Sequence, residues 1–377
     1  MNAMTDSEAL IAMRSFIQKV ATGPEYSKDM SLDEARQAMQ IILADKADPV
    51  QTGILFIALR MKRETDDENK GFLQAIIDDA DIVTAEVDDL VDVADPYDGY
   101  TRGLPASPFI APVLAACGLP AVSHGLEAVG PKFGITHRKV LRAAGLNVDL
   151  DPQTAAARIG DAAIGWAYVD QARFAPRLHD LIKLRQRMVK RQVLTTVEVL
   201  VGPVRAAGKT HLYTGFVHKA YPPIYSELAR FAGFDSLVLA RGVEGGIVPS
   251  LQQPARIWSY QDKGEEQFIE VSPQTIGIES ATRAVPIPDN APAATQAGDE
   301  IATPIDSDAM AAVSAELGLA ALRGQAGGTY DSLVYAGAIV LTQLGRSESL
   351  PAAAESVRKA LDSGAALAHF EAAIAAG

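Results

Sequence analysis

The stretch from Ala121 to Gly145, AVSHGLEAVGPKFGITHRKVLRAAG, constrains this chain more than any other. It opens on a short apolar run that suits a strand and turns through Ser-His-Gly and Gly-Pro-Lys. It closes on a helical segment with Val140 and Leu141 on one side and Arg138, Lys139 and Arg142 on the other. A strand, a glycine-bearing loop with a histidine and a lysine, and then a helix start is how an α/β layer builds an anion site. Loop and helix amides point at the ligand and a cation completes the charge.

The rest of the chain supplies the layer. Strand-like runs recur at Leu90–Asp95, Ala162–Val169, Thr210–Gly215 and Ser236–Ala240, with helical patterns between them at Phe109–Cys117, Phe174–Arg191 and Pro222–Gly233. That alternation predicts an α/β fold, with helices flanking a mostly parallel central sheet. Residues 5–80 carry helical patterns only. Ser31–Glu34 and Thr65–Glu68 are capping boxes and Asp48-Pro49 starts a third segment. The expected division is a small all-helical domain over residues 1–85 followed by a large α/β domain. Two or three more strands are expected within 253–305 with a surface loop at Ala291–Glu300. Two helices, at Leu333–Leu344 and Ser347–Ser363, and a short segment at Ala365–Ala375 finish the chain.

Charge limits the partners. The chain carries a net charge of −13, which argues against a polyanion. Yet residues 131–210 hold fourteen Lys and Arg against six Asp and Glu, an excess that suggests one anion-binding face on an acidic body. The lone cysteine, Cys117, lies in an apolar helical context and reads as a buried thiol. The sequence shows no charged and apolar leader pattern and no run of about 18 apolar residues, so no membrane partner and a cytoplasmic location are expected. No P-loop, zinc-type spacing or Ser/His/Asp pattern appears.

Among single residues, His124 in its Ser-His-Gly turn is a site residue or a structural loop histidine. His179, beside Leu178 and Leu181, is a site residue or core-facing. His137 belongs to the first turn of its helix. Lys190 and Arg191 are a solvated helix end or phosphate contacts.

Taken together, several segments resemble anthranilate phosphoribosyltransferase, of the glycosyltransferase family 3 group. These are SLDEARQAMQIILADKADPVQTGILFIALRMKRETDDE, VDVADPYDGYTRG, VSHGLEAVGPKFG, FAPRLHDLIKLRQRM, and nearly the whole C-terminal stretch from GGTYDSLVYAG. The resemblance implies this two-domain fold, with the small domain completed by a helical segment near 171–200 and the large domain over 86–170 and 201–377, and homodimers packed through the small domains. It also implies a diphosphate loop at Asp95–Gly99, a retained His124-Gly125 and Lys132, and acceptor-side residues at His179 and Arg185. Departures are expected at the chemistry. Pro96 removes an amide donor from a loop that the family builds of glycines. Asp95 adds a negative charge there. Ile247 and Val248 stand where the family has a metal-binding carboxylate pair, leaving Glu244 as the nearest replacement. The family includes a divergent branch with nucleic-acid binders, and this chain resembles that branch more than the biosynthetic enzymes.

The first reading is therefore an eroded diphosphate and Mg²⁺ site that binds an anionic ligand, nucleic acid before a phosphorylated small molecule, in a basic interdomain groove. The groove set is Asp98, Gly99, His124, Gly125, Lys132, Arg138, Lys139, Arg173, Arg185, Arg187, Lys190 and Arg191. The alternative is an active phosphoribosyl or related pentosyl transferase with an altered acceptor, in which His124, His179 and Arg185 are the catalytic candidates and Mg²⁺ the cofactor. A third reading is a dimeric protein that keeps the fold for partner binding.

Overall fold

A computed structural model describes residues 5–23, 25–294 and 305–377. Four N-terminal helices come first: α1 Asp6–Val20, α2 Leu32–Leu43, α3 Pro49–Lys62 and α4 Asp66–Asp79. Their starts follow from local chemistry. Ser31 and Thr65 form reciprocal capping boxes with Glu34 and Glu68, and Asp48 accepts from the amides of Val50 and Gln51 ahead of Pro49.

Seven strands make the main sheet: β2 Asp89–Ala94, β4 Ala121–Gly125, β5 Trp166–Asp170, β7 Lys209–Gly215, β8 Ser236–Ala240, β9 Ala255–Tyr260 and β10 Gln267–Val271. The order is β10-β9-β8-β7-β2-β4-β5, and all neighbours from β8 to β5 are parallel. The strands β9 and β10 continue it antiparallel as an edge. Small two-stranded pairings join β1 Val83–Ala85 to β6 Val204–Ala206, and β3 Gly103–Leu104 to β11 Val285–Pro286.

Both faces of the parallel strands are covered, which is why their residues are buried almost throughout, the polar ones included. Val91, Val93, Trp166, Tyr168, Tyr213 and Val238 enter one core. Leu90, Val122, Ala167, Val169, Leu212 and Leu237 enter the other, which continues into the N-terminal helices. On the first face lie α5 Ile110–Ala116, α6 His137–Ala143 and four late helices, α13 Ser307–Leu322, α14 Gly328–Gln343, α15 Leu350–Asp362 and α16 Ala365–Ala375. The second carries α7 Pro152–Gly160 and α12 Tyr221–Phe231.

Three local expectations change. The strand expected over Ala162–Val169 begins only at Trp166, after a turn. The single helix expected over Phe174–Arg191 is three short ones, α8 Gln171–Phe174, α9 Pro176–Asp180 and α10 Ile182–Met188, followed by α11 Leu194–Val197. Pro176 has no amide to continue a helix, and α10 ends at Val189 in a left-handed conformation (φ 63°). Helix α13 was not anticipated, and Ala365–Ala375 is a full helix. The expected loop at Ala291–Glu300 lies outside the described residues from 295 onward. Cys117 is half-buried, and burial pushes its thiol up to about 11.

Candidate functional site

The parallel strands direct their carboxyl ends toward the helical bundle, the usual position of a ligand crevice in an open α/β sheet. A cleft of about 120 Å³ lies there. The loop after β2 contributes Pro96 and Asp98, and the loop after β4 contributes Lys132. Thr214 and Gly215 end β7, Phe216 to His218 follow it, and Glu244 and Gly245 follow β8. The far wall is Arg60 of α3, Arg191, Thr195 and Thr196, with Tyr221 and Tyr225 of α12 closing one end.

The loop after β2 is held from within. Asp95 is buried and accepts from the Tyr100 hydroxyl (2.8 Å), the Ser107 hydroxyl (2.5 Å) and the Ile247 amide (3.1 Å). His137 Nε2 lies 3.0 Å from the same carboxylate, and its Nδ1 lies 2.7 Å from Ser123 Oγ. Asp95 therefore faces the loop interior and does not put its charge where a phosphate would sit. Ile247, at the position of the family's carboxylate pair, is buried and only its backbone takes part.

Gly99 adopts φ 70°, and a Cβ there would lie 2.7 Å from Ile135 O, so this turn requires glycine. The amides from Gly99 to Arg102 all have protein acceptors. Gly99 donates to Pro96 O (3.2 Å) and Tyr100 to Ile135 O (3.1 Å). Thr101 and Arg102 donate to the two carboxylate oxygens of Glu244 (3.0 and 2.7 Å). Lys132 Nζ donates to Gly99 O (2.7 Å) and pairs with Asp98 (3.2 Å), which also pairs with Arg191 (2.6 Å).

Asp98, Gly99, Lys132 and Arg191 thus meet at the cleft, and most other predicted residues do not. His124 is a core residue: its Nε2 lies 2.6 Å from Asp92 Oδ1, its Nδ1 pairs with the Tyr97 hydroxyl, and Phe174 packs edge-on against the ring. Gly125 packs beside Tyr168 and Tyr97. Arg185 is buried against Glu198 in a two-pronged pair (2.6 and 2.7 Å), with Gln171 donating to the same carboxylate (3.0 Å). Its charge is spent inside the protein. His179 is half-buried, and its Nδ1 has no hydrogen-bond partner. Arg138 pairs with Glu127, Asp149 and Asp170, while Lys139 donates to Ser307 and pairs with Asp308. The strongly raised affinity of Arg138 for its proton comes from these acids, chiefly Asp149 and Asp170, acting against burial. Arg173, Arg187 and Lys190 are exposed, with no acidic partner among the described residues. Eight of the fourteen cations in residues 131–210 form ion pairs, so no continuous basic groove results.

The metal candidate fails the same test. Both Glu244 oxygens accept from Thr101 and Arg102, and Asp98 is held by two cations. Among the described residues, no group of three or more His, Cys, Asp or Glu is arranged to hold an ion. The residues present do not fit Mg²⁺, which takes several oxygen ligands in octahedral geometry.

Sequence reasoning missed Arg60, whose guanidinium donates to the Tyr221 hydroxyl (3.2 Å), together with the Phe216–His218 turn and Glu198. The turn had one signal: it follows immediately on a strand ending in Thr214-Gly215.

A parallel sheet with a glycine-bounded cleft at its carboxyl edge, closed by a helical bundle, defines the ligand-binding class of open α/β fold. The chain belongs to the glycosyl transferase family, whose helical bundle domain matches residues 14–80 and whose α/β domain matches residues 104–367. Within it the chain is anthranilate phosphoribosyltransferase-like. It is 28% identical over 360 residues to the anthranilate phosphoribosyltransferase of Bradyrhizobium diazoefficiens, covering 95% of this chain and 97% of that one. The enzyme of the same name from Thermomicrobium roseum is 26% identical over 369 residues, covering 95% and 94%. The crystal structure from Thermus thermophilus matches with a TM-score of 0.70 at 18% identity, covering 97% of this chain and 98% of that one. The enzyme from Saccharomyces cerevisiae in complex with PRPP and Mg matches with a TM-score of 0.70 at 15% identity, covering 97% and 99%. Among the described residues no helix is long and apolar enough to cross a membrane.

Proposed function

We propose that this protein binds a phosphorylated small molecule in the cleft, with the phosphate toward Lys132 and Arg191 and the remainder against Tyr221 and Phe216. The observation that carries the reading is the set of three cations that line the cleft, Arg60, Lys132 and Arg191, against two carboxylates that are already engaged: Asp98 by Lys132 and Arg191, and Glu244 by the Thr101 and Arg102 amides. At about 120 Å³ the space is below the roughly 300 Å³ of a full ligand pocket. It suits an anionic head group, and a whole sugar phosphate requires the loops to part. This reading puts the phosphorylated small molecule ahead of nucleic acid, because ion pairs consume most of the basic window.

Phosphoribosyl transfer is the second reading. Family membership favours it, as does the yeast relative's complex with PRPP and Mg. Against it stand the aliphatic Ile247 and Val248 and the committed Glu244. Calorimetric titration with phosphoribosyl diphosphate, with and without Mg²⁺, separates the two. Binding independent of Mg²⁺ is expected. Heat only in the presence of Mg²⁺ favours transfer, and no heat in either arm rejects both. A single-stranded oligonucleotide at about 50 mM salt completes the comparison, and tight, steeply salt-dependent binding there restores the polyanion reading.

The proposed frame is a small helical domain over residues 1–85 completed near 171–200, on an α/β domain over 86–170 and 201–377, dimerised through the helical domain. Leu10 and Ile11 on α1 and Val50, Ile54 and Met61 on α3 are exposed, and an apolar groove of about 660 Å³ runs between Val20 and Met61. Sedimentation equilibrium tests this: a dimer converted to monomer by Ile54→Glu is expected, and a wild-type monomer at micromolar concentration refutes it.

A further inference from the structure

The amides of Thr101 and Arg102 converge on one point, and a carboxylate of the same chain occupies it. Glu244 Oε2 accepts from the Thr101 amide (3.0 Å) and the Thr101 hydroxyl (3.2 Å), and Oε1 accepts from the Arg102 amide (2.7 Å). Two backbone N–H groups and a hydroxyl aimed at one anion form the kind of concave donor set that also receives a phosphate oxygen. The set lies at the cleft, because Glu244 lines it beside Asp98 and Lys132.

Three features distinguish this contact from the neighbouring ones. The two amides before it, Gly99 and Tyr100, donate to backbone carbonyls that cannot leave without unfolding the turn. Glu244 is a half-exposed side chain that can swing out by rotating its own bonds. Its backbone is also left-handed (φ 57°, ψ 13°), a conformation sparse for residues with a Cβ, at the centre of the short turn Val243–Gly245. Lys132 steadies the same turn by donating to Gly99 O (2.7 Å) and Glu244 O (3.4 Å). The Glu244 contacts join the loop after β2 to the loop after β8 directly, and Lys132, from the loop after β4, bridges the same two loops.

We propose that Thr101 and Arg102 form an anion subsite that Glu244 occupies as an internal competitor, and that a diphosphate-bearing ligand binds by displacing it. This rests on the cleft reading above. Displacement trades one set of charge-assisted hydrogen bonds for another. It also removes the clasp between the two loops, which opens a cleft too small for a whole sugar phosphate. Glu244 then sets the ligand threshold: only an anion that satisfies both amides and reaches Lys132 outcompetes a tethered carboxylate.

The test is titration of the full chain with inorganic diphosphate, comparing wild type with Glu244→Ala and Glu244→Gln, while following the backbone amide resonances of Thr101 and Arg102. Apparent affinity falls in proportion to the fraction of molecules whose site is open. Glu244→Ala is therefore expected to bind at least about tenfold more tightly if Glu244 holds the site nine-tenths of the time. Glu244→Gln, uncharged and a weaker acceptor, falls between, and both amide resonances shift on binding. If wild type binds diphosphate and neither variant binds more tightly, the competitor role is overturned while the cleft reading stands. If neither wild type nor variants bind, both are overturned. Should Glu244→Ala fail to fold, Glu244→Gln alone decides by the same criterion.

Discussion

The two walls of the cleft received their charged residues in different ways. The wall that follows β4 holds the histidines and cations whose spacing suggests an anion loop, yet most are turned inward. His124 bridges Asp92 and Tyr97, and His137 bridges Ser123 and Asp95. Arg138 and Lys139 are held by Glu127, Asp170 and Asp308. On the opposite wall only Lys190 and Arg191 drew attention in the sequence, yet its Arg60 and Arg191 side chains remain about two-fifths exposed at the opening. Residue type and spacing identify a cation. Whether it is available depends on acids that arrive from distant parts of the chain.

If the inward-turned residues are structural, disrupting their core pairs should cost stability, and the largest effect is expected at Arg185 of α10. Both members of its pair with Glu198 are essentially without solvent contact. Arg185→Ala leaves a buried carboxylate uncompensated and is expected to cost about 3–5 kcal/mol in denaturant unfolding. Arg185→Met with Glu198→Leu is expected to recover most of it. A single variant as stable as wild type contradicts the buried pairing. Next is His124→Ala, which strands Asp92 and the Tyr97 hydroxyl and should cost about 1–3 kcal/mol. Diphosphate affinity should hardly change. A large loss of affinity with little loss of stability would return His124 to the site.

A third effect is pH-dependent. Burial pushes the Glu127 carboxyl up, but the guanidiniums of Arg142 and Arg138 outweigh it and hold the group below its ordinary value. A depressed folded-state value means stabilisation that is complete above the ordinary glutamate range and is lost as pH falls through the lowered value. Glu127→Gln should therefore be less stable than wild type near neutral pH, with the gap closing on acidification. A constant gap would show that the pair is not charge-dependent.

The same contrast explains what the sequence made legible. The parallel strands were visible because both faces are buried, so β2, β4, β7 and β8 carry short β-branched and apolar clusters, interrupted by buried polar residues such as Asp92, His124 and Thr214. The N-terminal helices were visible because their capping chemistry is local. Helix α13 was not, since SDAMAAVSAELGLAAL is apolar on most sides and shows no stripe. The break at Pro176 was hidden by helical spacing that persists on either side of it. At the site, Asp98, Gly99 and Lys132 could be named because one turn and one loop bring them together. Nothing in the sequence indicated that Arg185 would be neutralised by Glu198, an acid set among valines that reads as one more core-facing segment.

The smallest stability effect is the most informative about the cleft. Arg191 is nearly half exposed and pairs with Asp98, which Lys132 also holds. Arg191→Ala should change stability by no more than about 1 kcal/mol, as exposed pairs usually do. It removes one cleft cation, however, and diphosphate affinity should fall. Asp98→Asn does the reverse: it removes an anion and leaves Arg191 and Lys132 less neutralised. If the cleft holds a phosphate, the two substitutions must move affinity in opposite directions. If the anion binds elsewhere, as along the exposed Arg187 and Lys190, both leave it unchanged. If Asp98 instead contacts the ligand, both weaken it. Measuring the pair at two salt concentrations separates these cases, because a contact inside the cleft is screened less than one on the open surface.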